Sequence, residues 1–93
     1  MRPTLKKSIV TDTEFSVLKS LYKRYTTNKK SPVAEISQIA VETNTKDSDE
    51  ILRALYTLEG KALVSPEPEG VFTSKVWKIT EFGVKAYDLA VSQ

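Results

Sequence analysis

The sequence predicts one α+β domain, mainly helical, with a three-helix core, a two-stranded β-hairpin and a C-terminal helix. Three observations predict it. Apolar residues recur at spacings of three and four in three stretches before residue 60 and again near the end. Between those stretches, β-branched and aromatic residues flank a Pro- and Gly-bearing loop, Pro66-Glu67-Pro68-Glu69-Gly70. At 93 residues, with 40% of them apolar, the chain has material for a single core. A chain of this size buries roughly 60–65% of the surface it exposes when unfolded.

Residues 1–10 lack a period and read as a flexible N-terminal arm; residues 11–93 form the domain. Thr11-Asp12-Thr13-Glu14 reads as a helix start, with Thr11 as cap and Glu14 reaching back to complete a capping box. Phe15, Leu18, Leu21, Tyr22 and Tyr25 then form the stripe of a first helix, about 12–26. Thr26 to Ser31 is a polar loop. Pro32-Val33 allows two readings: a short extended piece, or the first turn of a helix capped by Ser31. Ile36, Ile39 and Ala40 make the face of a second helix, about 33–42. Glu42 to Lys46 is a turn, and Asp47 or Ser48 caps a third helix, about 48–60. Asp49 and Glu50 lie in its first turn, where the helix dipole favours them, and Ile51, Leu52, Leu55 and Leu58 form its stripe. Leu63-Val64 and the run from Val71 to Ile79 are the two strands, with Trp77 and Ile79 on one face. A last helix, about 81–91, carries Phe82, Ala86, Leu89 and Ala90 on one face.

Composition excludes several chemistries. With no Cys and no His, there is no disulfide, no Cys/His zinc site, no thiol nucleophile and no imidazole acid or base. No nucleophile–base pair or glycine-rich phosphate loop is visible, so the chain is expected to be no enzyme and to need no metal or cofactor. Apolar runs are no longer than three residues, which predicts no membrane span. The basic start of residues 1–7 has no apolar stretch behind it, so it does not read as a signal peptide. A cytoplasmic location is expected, in keeping with the absence of cysteine. The net charge of +2 conceals an uneven distribution: residues 1–30 carry a net +6, residues 31–60 a net −4, and residues 61–93 balance.

Three helices followed by a hairpin behind the third is a winged helix-turn-helix arrangement. Two stretches resemble winged-helix regulators of the MarR and PadR kind. Leu55-Tyr56-Thr57-Leu58-Glu59-Gly60-Lys61-Ala62-Leu63-Val64 is similar to the end of a recognition helix running into the first wing strand. Val76-Trp77-Lys78-Ile79-Thr80-Glu81-Phe82-Gly83 looks like the end of the second wing strand, with its aromatic–x–aliphatic–Thr–x–x–Gly pattern. Upstream, Ile36-Ser37-Gln38-Ile39-Ala40 is similar to the core of the second helix in such proteins. The resemblance covers about residues 12–91, through three short motifs in the expected order. Two departures stand out. The glycine that ends the third helix in those families falls on Ala62, where a left-handed backbone costs alanine roughly 1 kcal/mol; an end at Gly60 would avoid it. The turn before the third helix is about one residue longer than usual and carries Thr43, Asn44 and Thr45 where an apolar plug is common.

The resemblance implies a transcriptional regulator that binds double-stranded DNA, commonly as a homodimer on near-palindromic sites. The expected DNA-binding residues are Thr45, Lys46, Ser48, Arg53, Tyr56 and Thr57 on the third helix and its approach. Thr73, Ser74 and Lys75 on the wing join them, as do Lys29 and Lys30 after the first helix. Arg53 can bind guanine through both terminal nitrogens. Lys19, Lys23, Arg24, Lys29 and Lys30 form the densest basic patch; a solvated helix face explains them equally. Asp47, Asp49 and Glu50 are best read as helix caps, and the aromatic residues as core or dimer seam. The first helix with the arm, and the last helix through Phe82, Ala86, Tyr87, Leu89 and Ala90, can supply that seam. The acidic 31–60 segment supports a rival: a winged helix used as a protein–protein interaction module with no DNA partner. A regulator of a mobile element is a further reading, because such genomes encode stand-alone domains this small.

Overall fold

A computed structural model of the chain describes residues 11–92. The expected flexible arm, residues 1–10, lies outside the described residues. Four helices and one small antiparallel sheet follow in the order α1 (Asp12–Thr27), β1 (Val33–Glu35), α2 (Ile36–Glu42), α3 (Ser48–Gly60), β2 (Val64–Pro66), β3 (Val76–Ile79) and α4 (Glu81–Val91). The sheet order is β1-β3-β2, so the expected two-stranded hairpin supplies two strands of a three-stranded sheet.

The helix starts follow the side-chain chemistry. Thr11 Oγ1 accepts from the Glu14 amide and the Glu14 carboxylate accepts from the Thr11 amide, each at 3.1 Å, which completes the capping box of α1. Of the two readings of Pro32-Val33, the extended one holds. Val33, Ala34 and Glu35 pair with Lys78, Trp77 and Val76, and α2 begins only at Ile36. Gln38 sets that start, its side-chain oxygen accepting from the Glu35 amide at 2.9 Å. Asp47, rather than Ser48, caps α3 by accepting from the Asp49 amide at 2.9 Å.

Both inner helices end in the same way. The Thr45 amide bonds to the Ala40 carbonyl at 2.9 Å and the Asn44 amide to the Val41 carbonyl at 3.2 Å, with Asn44 left-handed at φ 57°. At the end of α3, the Leu63 amide bonds to the Leu58 carbonyl at 3.0 Å and the Ala62 amide to that of Glu59 at 2.8 Å, with Ala62 at φ 64°. These are Schellman pairs, whose C′ position demands a positive φ. Asparagine tolerates that region; alanine does not. The helix therefore ends at Gly60 and the strained alanine is present as well. In the α2–α3 turn, threonines replace an apolar plug without leaving polar groups stranded. Thr43 Oγ1 donates within 2.8 Å of the Ile39 carbonyl and lies 2.9 Å from Thr45 Oγ1.

The core lies between α1, α3 and the sheet. Val17, Leu21, Ile39, Ile51, Leu55, Leu58 and Trp77 are fully buried. Phe15 and Tyr22 stand at the edge of this core and pack on Tyr87 of α4, with ring centroids 5.4 and 4.4 Å away. Phe82 and Leu89, on the expected apolar face of α4, do not pack on the core. They are 60% and 62% exposed, and the inward residues are Gly83 and Tyr87. The cause is a close approach: a Cβ on Gly83 would lie 2.1 Å from the Leu63 carbonyl oxygen. Only glycine lets α4 sit there, and that rotates Phe82 outward. Thr80 fixes the junction, its Oγ1 accepting from the Gly83 amide at 2.9 Å and donating to the Ala62 carbonyl at 2.7 Å.

The second expected strand, Val71 to Ile79, is also shorter than its composition suggests. Only Val76–Ile79 is strand. Its partner β2 has three residues, and after the Glu67 amide bonds to the Val76 carbonyl at 2.9 Å the ladder meets Pro68. Proline has no N–H to offer, so pairing ends there. Residues 68–74 instead form two consecutive turns, Val71 amide to Pro68 carbonyl and Ser74 amide to Val71 carbonyl.

Candidate nucleic-acid interface

The third helix presents its outer face because Ile51, Ala54, Leu55 and Leu58 all turn inward. Asp49, Arg53, Tyr56, Thr57 and Gly60 are left exposed on the other side. The loop between β2 and β3 folds beside this face. Together they border a groove of about 590 Å³ lined by Glu35, Ile36, Ser37, Ser48, Leu52, Tyr56, Thr73, Ser74 and Lys75. Five of the expected contact residues therefore meet at one groove: Ser48 and Tyr56 from α3, and Thr73, Ser74 and Lys75 from the wing loop.

The remaining expected residues lie elsewhere. Arg53 and Thr57 border a second cleft, with Thr11, Thr13, Glu14, Glu50 and Ala54, on the flank of α3 that faces the start of α1. Lys46 is exposed on the turn before α3. Thr45 is half-buried beside it, and its amide and hydroxyl are engaged within the turn. Lys29 and Lys30 are exposed in the loop between α1 and β1. Lys19 and Lys23 line a third cleft, with Ser16, Ser20, Glu42, Thr43 and Asn44. The cleft beside Lys19 and Lys23 and the groove beside α3 share no lining residue.

Two of the grouped residues have internal roles that their spacing did not reveal. The Tyr56 hydroxyl donates to the Phe72 carbonyl at 3.0 Å, and its ring meets Trp77 edge-on at 6.0 Å. Ser74 Oγ donates to the Glu67 carbonyl at 2.7 Å and accepts from the Val76 amide at 3.1 Å, which turns it into the wing. Trp77, fully buried, finds the partner that its indole N–H needs in the Ser74 carbonyl at 3.0 Å. Sequence reasoning missed Ser37 and Leu52 as groove residues. Leu52 sits on the apolar stripe of α3 and reads as core, while Ser37 carries no local signal and reaches the groove only through the placement of α2.

Glu35 lines the groove and Asp49 is exposed on α3, while several acids nearby are engaged. Asp47 caps α3, and the Glu50 carboxylate accepts from Thr13 Oγ1 at 3.0 Å. Glu67 pairs with Lys78 at 3.2 Å, both side chains remaining partly exposed. Behind α2, the Glu42 carboxylate accepts from Ser20 Oγ at 2.5 Å and from Arg24 at 2.8 Å. The serine hydrogen bond, with the Arg24 charge behind it, holds the Glu42 carboxyl below the usual carboxylate range. Arg24 is thereby tied to a carboxylate and withdrawn from the basic patch. On the far side, the Tyr22 hydroxyl donates to Asp88 at 2.5 Å, which raises the tyrosine pKa.

What this arrangement offers a ligand is one cation, Lys75, and one carboxylate, Glu35, among hydroxyls and the apolar side chains of Ile36 and Leu52. Hydroxyls of Ser48 and Thr73 and the ammonium of Lys75 border the groove, with Lys46 and Arg53 on the neighbouring faces of α3. No family model matches the chain, and no significant match was found among curated proteins or solved structures.

Proposed function

We propose that the chain is a small winged-helix DNA-binding protein, a transcriptional regulator that acts by occupying a duplex site. The observation that carries this reading is the shared groove: the exposed face of α3 and the wing loop flank it together. An isolated helix of this exposure fits the major groove, with bases met by its N-terminal residues and the wing lying along the phosphates. In this reading Arg53 meets base edges, Lys46, Lys75, Lys29 and Lys30 meet phosphate, and Ser48 and Thr73 add hydroxyl donors. Of the acids near this face, Glu67 is balanced by Lys78, while Asp47 and Glu50 accept hydrogen bonds and keep their charge.

The test is a fluorescence-anisotropy titration against mixed-sequence duplex at about 50 and 200 mM salt. Four cations on phosphate give a log–log slope near −3.6, so affinity should fall about 150-fold over that range. No binding at tens of micromolar protein and low salt, together with failure of a site selection, would refute the proposal.

Such regulators commonly work as two-fold dimers, and α4 supplies the surface for one. Phe82 and Leu89, two turns apart and well exposed, form an apolar stripe with Ala86 between them. Sedimentation at high micromolar concentration should give about twice the chain mass of 10.4 kDa. A single-chain mass would remove the dimer from the reading.

One observation favours the protein-interaction reading instead. The Lys19 and Lys23 surface does not border the wing groove, so the strongest positive field is not centred on α3. Under that reading α3, with Asp49 exposed, meets a basic protein, and the salt titration shows no duplex binding.

A further inference from the structure

Tyr56 stands where α3 meets the wing, and its contacts differ from those of a side chain held ready for a base. The base of the wing is tied down by backbone and core: the Lys75 carbonyl accepts from the Ile36 amide at 2.9 Å, and the buried Trp77 indole donates to the Ser74 carbonyl at 3.0 Å. Towards the tip, two turns over residues 68–74 are closed by their own backbone bonds, and Ser74 at their end is held by Glu67, Val76 and Trp77. Ahead of Ser74, α3 reaches the tip through Tyr56, whose hydroxyl donates to the Phe72 carbonyl at 3.0 Å. Its ring is steadied edge-on against Trp77 at 6.0 Å. The single phenolic proton is therefore committed to the wing and cannot also be donated to a base.

We infer that Tyr56 is a positioning residue: it sets the wing tip against α3, so that Thr73 and Lys75 meet the phosphate backbone at a fixed offset from the N-terminal half of α3. The inference rests on the DNA reading above. A tip already held in place loses less conformational freedom on binding, so the wing contributes its contacts at lower entropic cost. Base reading then stays with Arg53, and Tyr56 contributes affinity without discrimination between sequences.

A double-mutant cycle tests this on the full chain, with circular dichroism confirming that every variant is folded. Tyr56→Phe keeps the ring and its contact with Trp77 and removes only the hydroxyl. On mixed-sequence duplex it should weaken binding about 5-fold for all sequences alike, whereas Thr73→Ala/Lys75→Ala should weaken binding about 10-fold. Combined, the wing pair should cost less than about 2-fold beyond Tyr56→Phe alone, because the tip is already unplaced. Additive losses would overturn the inference and leave DNA binding standing, and so would a loss confined to particular sequences. Without DNA, the Ser74 amide, bonded to the Val71 carbonyl, should exchange about 5-fold faster in Tyr56→Phe while the Leu55 amide in α3 is unchanged. Equal exchange at Ser74 in both proteins would overturn the tie whether or not DNA binds. No duplex binding by the unaltered protein would refute the reading beneath the inference, and the inference with it.

Discussion

Replacing Ala62 with glycine should stabilise the protein, although it removes a side chain and adds no contact. Ala62 holds the C′ position of α3 at φ 64°, fixed there by two Schellman hydrogen bonds of 2.8 and 3.0 Å. A left-handed backbone costs an L-residue about 1–2 kcal/mol, because Cβ crowds the following carbonyl. Glycine avoids that cost but loses about 0.4–1 kcal/mol through its freer unfolded chain. The difference is a gain of about 0.5–1 kcal/mol, which for a domain this size raises Tm by about 2–8 °C. The companion change is Gly60→Ala. Gly60 is helical, and a Cβ there meets nothing within 4 Å. That substitution should add a further ~0.5–1 kcal/mol from helix propensity. Thermal melts followed at 222 nm, with urea titration as a second measure, report both. A neutral or lowered Tm for Ala62→Gly, beside a raised Tm for Gly60→Ala, would mean that Ala62 is not left-handed and that the helix end is described wrongly. The two positions are neighbours, so their exchange must be measured as a double variant rather than summed.

Three other outcomes are expected. Gly83→Ala would place Cβ 2.1 Å from the Leu63 carbonyl oxygen and 2.7 Å from Ile79 Cγ1. Such overpacking against backbone should cost about 3 kcal/mol and lower Tm by about 12 °C or more; an unchanged Tm would show that α4 does not sit on Leu63. Glu42 has a lowered pKa in the fold through its bond from Ser20 and the charge of Arg24. Its contribution is therefore complete above the ordinary Glu value of about 4.3 and is lost as pH falls from there through the folded value. Glu42→Gln should flatten that acid limb in urea titrations between about pH 5 and pH 2, and an unchanged limb would refute the coupling. On DNA, Arg53→Ala should relax discrimination between duplex sequences, while Lys29→Ala should weaken all sequences alike and reduce the salt slope by about one. Uniform loss for Arg53→Ala would contradict its base-reading role.

The elements whose formation depends on neighbours in the chain were legible in the sequence. Thr11 and Glu14 announce the capping box that forms. The third helix begins and ends at Ser48 and Gly60 as its stripe predicts, and Asp47 behaves as a cap. These signals work because a helix satisfies its own backbone within a few residues, so caps and periodicity carry most of the information. The strands were less legible, since a strand exists only where a partner supplies its hydrogen bonds. Val71 and Phe72 have strand composition and no partner, while Val33 to Glu35, ambiguous by itself, becomes strand because β3 lies beside it.

The candidate site divides along the same line. Chain order placed Ser48, Tyr56 and the Thr73–Lys75 segment near one another, through the expected run of helix into hairpin. Sequence alone could not show that Tyr56 holds the wing, that Ser74 turns inward, or that Arg24 is tied to Glu42. Each depends on a partner between 16 and 18 residues away or on the path of a loop. The outward turn of Phe82 depends on one contact distance at Gly83, where α4 crosses the Leu63 backbone. By itself the sequence determined which segments are helical, where α1 and α3 begin, and which third of the chain is basic, because those properties are local. Only the tertiary structure decided which of those charges and aromatics share a surface, because that depends on the crossing of elements distant in the chain.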